Sequence, residues 1–521
     1  MNKTKIGIFI NSKLQLKENS DLIRWLINKE NLAIEILVIN NNSNKLINFF
    51  LNCILIFENF FSKSEELELP KYPNNKIILN DKNFFKKDDI ENITNLNLDI
   101  IVNLTPENFK GEAFKLSKFG IISSNIFRKF QNQNNPPGFW EVYNNQPETN
   151  FSLTIQKEES TQNIIYEGNF STQLIFSLNR KFSDNKKSYY LKKIIDFIII
   201  NKSFPQSLEK REDIKNILKT PTFIQILFYM FFAYSRILKK VIFKYVFLKK
   251  SNWHVAFSNE NWKNNSLKNL NVIKNPKNHY LADPFLYKYN NKYYCFLEEY
   301  SYLKKKGHVA VYEINNNAYQ RLGVCLQESF HLSFPYIFNF DGKIFMCPES
   351  SRNKEIRIYE SIEFPLKWNL KKIIMKNVSA SDSMIFKYKN KWWLLTNLDN
   401  SDLNDHSSEL NIFYSKNGPI TDNWIKHDTN PIFIDSLKAR NGGLIFENDK
   451  IHRVAQSVGF NIYGKSFSLN QINQLSESQY SENKLYDVKP NFLKNIKGTH
   501  HYNGIDNLTV IDFCKDNYFN F

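Results

Sequence analysis

An α/β domain followed by an all-β ring of five sheets, a five-bladed β-propeller, is the architecture this sequence predicts. Two observations carry it. Apolar runs alternate with helix-like stretches through the N-terminal part, and one loop–strand–turn–strand phrase recurs from Leu281 onward at intervals of about 50 to 60 residues. A chain of 521 residues also exceeds what one hydrophobic core usually organises. The expected division is an α/β domain over 1–205, a basic helical connector over 206–250 and the propeller over 251–521.

In the N-terminal part, Ile6–Ile10, Ile34–Ile39 and Leu98–Val102 read as strands and Asp21–Lys29 as a helix. Such alternation predicts a mostly parallel, Rossmann-type sheet with helices on its faces. Asn11 and Asn103 then fall at the carboxyl ends of strands, where open α/β sheets place their ligand crevice. No glycine-rich phosphate loop follows the first strand, which argues against a dinucleotide cofactor. The start, Met1-Asn-Lys-Thr-Lys followed by Ile6–Ile10, reads as a first strand rather than a signal peptide.

Three segments are more specific: Phe119-Gly-Ile-Ile-Ser-Ser-Asn125, Asn135-Pro-Pro-Gly-Phe-Trp-Glu-Val-Tyr-Asn-Asn-Gln-Pro-Glu-Thr149 and Phe151-Ser-Leu-Thr-Ile-Gln156. Together they resemble the core of formyltetrahydrofolate-dependent formyltransferases. The resemblance implies an Asn-x-His pair and a later aspartate that move protons. Here Ser123 and Asn125 occupy the pair and Thr161 the aspartate position, and none of these side chains titrates near neutral pH. A scaffold inactive as a formyltransferase is therefore expected, with formyl or acyl transfer to an amino sugar, or a non-catalytic binding platform, as the alternatives.

In the connector, Thr220-Pro221 suits a helix start. Phe223–Tyr234 carries no charge, and beyond it Arg236, Lys239, Lys240, Lys244, Lys249 and Lys250 are interleaved with apolar residues. The uncharged run is shorter than the ~20 apolar residues a spanning helix needs. Residues 221–250 are thus expected either to pack one domain on the other or to make peripheral membrane contact.

The recurring phrase begins as Ala282-Asp-Pro-Phe, Ser333-Phe-Pro-Tyr and Ser381-Asp-Ser-Met, with weaker copies at Asn441-Gly-Gly-Leu and Gly504-Ile-Asp-Asn-Leu. Each copy reads as the inner hairpin of a blade, and five copies predict five blades. Trp253-His-Val-Ala-Phe257 is expected to add an outer strand that closes the ring. Residues just before each inner strand should face the axial funnel, which nominates Asp283, Phe334-Pro335, Asp382, Asn441 and Asn503; the loops after the second strands add Glu298, Glu299 and Glu349. Arg440 is a candidate partner for these acids or for an acidic substrate. His308, His452, His500 and His501 could also enter the funnel. No ligand spacing or cofactor fingerprint occurs, so neither a metal nor a cofactor is expected.

Asp283, Glu349 and Asp382 resemble the acidic triad of family 43-type glycoside hydrolases, which implies catalytic roles: a general base in blade one and two acids that protonate and tune. Ser333-Phe-Pro stands where those enzymes carry an aspartate. The phrasing Ala-Asp-Pro-Phe, Pro348-Glu-Ser-Ser351 and Arg440-Asn-Gly-Gly443 resembles more closely the propeller of glucosamine inositolphosphorylceramide transferases. That resemblance implies a carbohydrate, nucleotide-sugar or glycolipid substrate.

The balance of 69 Lys+Arg against 52 Asp+Glu, formally +17, is spread along the chain without an arginine-rich arm or zinc-finger spacing, which argues against nucleic acid. The five cysteines are scattered without a C-x-x-C pair, as expected of reduced thiols in a cytoplasmic protein, with a peripheral place at the inner face of the membrane as the alternative.

Overall fold

A computed structural model describes residues 3–517 apart from 11–18, 40–44, 62–75, 80–86, 106–110, 124–135, 159–160, 206–208, 213–219, 247–249, 264–265 and 402. The chain forms two compact units, Met1–Arg236 and Ile237–Phe521.

The first unit is built on β1 (Thr4–Ile10), α1 (Ser20–Ile27), β2 (Leu32–Ile39), α2 (Lys45–Phe61), β3 (Lys76–Leu79), α3 (Lys87–Thr94), β4 (Ile100–Asn103), β5 (Ile121–Ser123), α4 (Phe139–Tyr143), β6 (Glu148–Gln156), β7 (Thr161–Ser171), α5 (Phe176–Asn201) and β8 (Glu209–Glu212). Helix α6 (Phe223–Tyr245) begins in it. The strands form one eight-stranded sheet in the order β3-β2-β1-β4-β5-β6-β7-β8. β1 to β5 run parallel, and β6, β7 and β8 join antiparallel. The expected mostly parallel sheet is thus a mixed one, because the chain after β5 continues as a meander instead of crossing over through helices. Continuous apolar runs such as Ile6, Ile8, Phe9 and Ile10 are buried as in a sheet covered on both faces. The expected connector is divided, Glu209–Glu212 joining the sheet and Phe223–Tyr245 forming a helix.

The second unit is a ring of five antiparallel sheets. Blade one comprises His279–Tyr289, Lys292–Ser301, Lys306–Asn315 and Ala318–Leu326, and blades two, three and four repeat the pattern from Ser333, Ala380 and Arg440. Blade five is composite. Its strands Tyr502–Ile505 and Leu508–Asn517 come from the end of the unit, and Lys250–Ser258 comes from its beginning, pairing Ser258 with Thr509 through to Lys250 with Asn517. The segment at Trp253 therefore closes the ring, and no blade is left with an open inner face. Cores of aliphatic and aromatic side chains fill the space between blades; Trp392 and Trp393 are both buried there, so neither presents a free ring.

Candidate functional site: an acid-lined funnel

One local device repeats at the inner strand of four blades. The ladder slips between Ala282 and Phe285, Ser333 and Tyr336, Ser381 and Met384, and Asn441 and Leu444. Each slip is a bulge of one extra residue, which re-aims a side chain at the end of the strand. Asp283, Phe334 and Asp382 sit in it with φ of 52°, 46° and 50°, a left-handed conformation that residues other than glycine adopt at a cost. The rung before each bulge pairs Ala282 with Glu298, Ser333 with Glu349, and Ser381 with Asn397. Bulge and rung together supply Asp283, Glu298, Glu349 and Asp382 to one neighbourhood, where all four are electrostatically coupled.

Blade five adds a second group. Asp512 Oδ1 accepts the backbone N–H groups of His500 and His501 at 3.0 and 2.9 Å, and its Oδ2 lies 2.6 Å from His500 Nδ1. His500 Nε2 lies 3.3 Å from Asp283 Oδ1, so the imidazole bridges two carboxylates. The other oxygen of Asp283 accepts the Phe334 N–H at 3.2 Å. Gly442 and Gly443 allow His500 this position: a Cβ on Gly442 would stand 2.4 Å from the His500 carbonyl oxygen, and one on Gly443, at φ 130°, 2.5 Å from that of Tyr502.

Arg440 completes the wall. Its Nε donates to Asp382 Oδ2 at 2.6 Å, its Nη2 is 4.0 Å from Glu349 Oε2, and its guanidinium lies 4.8 Å from the ring centre of Tyr463. Gln456 Nε2 donates to the same Asp382 oxygen at 3.2 Å, and Ser351 Oγ donates to Glu349 Oε1 at 2.8 Å. Tyr463 is 44% exposed and stands 5.0 Å from the His500 ring, which in turn lies 4.1 Å from Trp253. A half-open aromatic face therefore borders the carboxylates.

Five buried carboxyl groups around one guanidinium separate in acidity. Burial pushes Asp283 up to about 6 against the pull of His500. Burial, then repulsion from Asp283, Glu349 and Asp512, pushes Glu298 well above the carboxylate range. Burial likewise raises Asp382 to about 8 against Arg440, whereas Glu349, which burial would raise, is held low by Arg440 and then by His406 and His331. Glu349 and Asp382 compete for one cation and titrate as a pair. Burial alone would lower His500, but Asp512 and Asp283 raise it; His501, enclosed by Phe285 and Phe334, is pushed down to about 3 and stays neutral.

The other nominated residues lie elsewhere. Strand alternation turns Glu299 away from Glu298, and it pairs with Arg321 at 2.9 Å and His308 at 3.1 Å, so neither Glu299 nor His308 joins the acid set. Asn441 donates to the Asp382 carbonyl at 2.9 Å; Asn503 donates to the Leu444 carbonyl at 2.9 Å and accepts the Leu286 N–H at 3.0 Å. Both amides tie blades together, a role their position before an inner strand explains, since the neighbouring strand leaves backbone groups to satisfy there. His452 packs 4.7 Å from the Trp262 ring. Ser123 is buried, with its hydroxyl accepting from Asn103 Nδ2 at 3.4 Å; Thr161 opens β7, and Asn125 lies outside the described residues.

Asp512 was not singled out by the sequence, although an aspartate inside the apolar strand Thr-Val-Ile-Asp-Phe signals a buried charge with a partner. Among the described residues, Asp283, His500 and Asp512 are the one set whose ligand-type atoms all lie within 4.8 Å of one another. Asp512 Oδ2 also accepts the Asp283 N–H at 3.3 Å, so Asp512 ties blade one to blade five as well as facing His500.

Fold and site together define a five-bladed propeller with an acid-lined axis. Residues 249–518 match the family described as glucosamine inositolphosphorylceramide transferase 1, N-terminal, and the chain belongs to that family. Similar proteins include glucosamine inositolphosphorylceramide transferase 1 of Arabidopsis thaliana, 36% identical over 231 residues, 43% of this chain and 29% of that protein. The protein of that name from Oryza sativa subsp. japonica is 35% identical over 213 residues, 39% of this chain and 27% of that protein. The chain thus spans under a third of the length of these curated relatives. Among solved structures, a family 117 glycoside hydrolase of Zobellia galactanivorans overlaps 51% of this chain and 90% of its own at 10% identity and a TM-score of 0.32. A sugar N-formyltransferase from a Shewanella species overlaps 44% and 87% at 13% identity and a TM-score of 0.28. At such scores these likenesses carry no argument.

Proposed function

We propose that the propeller funnel binds a sugar unit of a glycan or glycolipid and acts on it by acid–base chemistry, in the service of surface-glycan assembly. The observation that carries this is the separation of acidities on one axis. Asp283, at about 6 and braced by His500 and Asp512, is mainly ionised at neutral pH, while the Glu349/Asp382 pair retains a proton, with Asp382 at about 8. Two carboxyl groups tuned apart are what a general base and a general acid require. In this reading Asp283 takes a proton from the attacking hydroxyl or water, the Arg440-bound pair delivers one to the leaving oxygen, and Tyr463 supports the apolar face of the sugar ring. Membership of the family supports a glycolipid context.

The mixed sheet of the first unit serves as a scaffold here, inactive in formyl transfer; the hydrogen bond that the Asn103 amide donates to the Ser123 hydroxyl, two groups that do not titrate near neutral pH, supports this. Isothermal titration with a panel of amino-sugar and inositol-linked glycans, followed by turnover assays on the binders, tests the funnel. Asp283→Asn should retain binding within a few fold and lose turnover by about a hundredfold or more. Unchanged turnover would remove the base from Asp283, and unchanged binding in an Arg440→Ala/Tyr463→Ala variant would remove the funnel as the site.

A further inference from the structure

The funnel is acidic in its depth and basic at one corner of its rim. Strand Lys292–Ser301 carries Glu298, ends three residues later and turns through Lys304 and Lys305 into the next strand. At ~3.3 Å per residue the end of that strand stands about 10 Å beyond Glu298. Strand Lys343–Glu349 ends on Glu349 itself and leads into a short turn, Ser351–Asn353, which holds Arg352. Lys304, Lys305 and Arg352 are exposed, whereas Glu298 is buried. The two turns meet at the seam of blades one and two. Lys306 Nζ donates to the Glu328 carbonyl at 2.5 Å, the Gly307 N–H donates to His331 Nδ1 at 2.9 Å, and the Leu332 N–H donates to the Gly307 carbonyl at 3.1 Å. His331, in this stitched segment, stands 3.6 Å from Glu298 Oε1. Burial pushes His331 down, and the ring feels both the Glu349 carboxylate and the Arg352 guanidinium. The three cations therefore border the acids of the funnel.

The opposite end of the ring is arranged otherwise. Its inner hairpins turn at Asn290-Asn291, Asp341-Gly342, Lys389-Asn390, Asn448-Asp449 and Asp506-Asn507, which bring more acid than base. Lysines that follow these turns are paired: Lys292 with Glu313 at 3.0 Å, Lys343 with Glu360 at 2.5 Å and Lys391 with Glu477 at 2.9 Å. Among the described residues, Lys304, Lys305 and Arg352 form no ion pair. A general excess of lysine in the chain would leave both ends alike, so the free cations are a feature of the funnel mouth.

Such a division of charge fixes the polarity of a ligand. An anion is repelled from the depth, where Asp283 is mainly ionised and Glu349 is held low, and is drawn to the rim. We infer that Lys304, Lys305 and Arg352 bind a phosphate attached to the sugar, so that the ring enters the funnel while the phosphate stays at its mouth. This rests on the reading of the funnel as a sugar site. A guanidinium offers paired donors to phosphate oxygens, and the two ammonium groups add charge that can follow the ligand.

Titration calorimetry of the full chain with methyl N-acetylglucosaminide, N-acetylglucosamine 1-phosphate, the corresponding uridine diphosphate sugar and inorganic phosphate tests the inference. The 1-phosphate should bind about tenfold tighter than the neutral glycoside, an advantage that added salt erodes. Lys304→Gln/Lys305→Gln/Arg352→Gln should cancel that advantage and the binding of inorganic phosphate, and leave the neutral glycoside unchanged. The control Lys389→Gln/Lys426→Gln/Lys450→Gln, which removes as many exposed charges away from the rim, should alter neither. A rim-dependent gain of the nucleotide sugar over the 1-phosphate would assign the site to a diphosphate, and equal binding would assign it to a single phosphate. The proposal is overturned by a rim variant that keeps the phosphate advantage, by an equal loss in the control, or by glucuronic acid binding as tightly as the 1-phosphate. Should no sugar bind, rim-dependent binding of inorganic phosphate would uphold the anion site and strike only the sugar from the funnel, whereas absence of both would strike both.

Discussion

At Asp283 a backbone conformation, a hydrogen-bond pattern and an acidity meet. The left-handed bulge aims the carboxylate at His500, and the Phe334 N–H holds its second oxygen, so the group is placed before any ligand arrives. His500 pulls the acidity of Asp283 down against the effect of burial. Its replacement in His500→Gln should therefore raise the Asp283 pKa above about 6 and move the acidic limb of a turnover–pH profile to higher pH, cutting activity more at pH 6 than at pH 8. A limb that stays in place would show that His500 does not set the acidity of Asp283. Asp283, Glu349, Asp382 and Arg440 were legible because each sits beside a repeated phrase. Asp512 was not, because it follows the phrase in a strand that reads as ordinary core, and only the ring brings it to His500. Glu298 and Glu299 are adjacent in sequence, and the strand's two-residue period separates them into funnel and flank, which a loop reading of that segment could not foresee.

Among elements, the inner strand with its bulge is the unit that evolution of the site can vary. Blades one and three put an aspartate in the bulge, blade two a phenylalanine, and blade four the pair Gly442-Gly443, across which the His500–Tyr502 backbone passes closely. Gly443→Ala would place a methyl group against the Tyr502 carbonyl at φ 130°, and a cost of about 2–3 kcal/mol in urea unfolding of the propeller is expected. The same change should weaken glycan turnover beyond this loss of stability, because the segment it displaces carries His500. In the first unit, β1, β2, β4 and α1 were readable from period and length, whereas the antiparallel β6–β8 edge was not. Strand direction depends on how the chain returns, and alternation of apolar residues in Thr161–Ser171 is compatible with either sense.

For the molecule as a whole, five blades were countable from the hairpin phrase, and the Trp253 segment was readable as a ring-closing strand; expected as an outer strand, it lies between Leu508–Asn517 and the short Asn271–Val272. Removal of Lys250–Ser258 strips the final strand, Leu508–Asn517, of nine paired residues. A chain beginning at residue 260 should lose the cooperative thermal transition of the propeller and aggregate through the exposed edge, a result that light scattering and calorimetry would register. Retention of a wild-type transition would show that blade five stands without its borrowed strand. The composite blade also sets an order of events on the ribosome. Lys250–Ser258 emerges some 250 residues before the strand it must pair with, so four blades can assemble while it waits unsatisfied, and the funnel acquires His500 and Asp512 only once the strands of the fifth blade have emerged. A nascent chain stalled short of that point would carry Asp283 with no imidazole beside it.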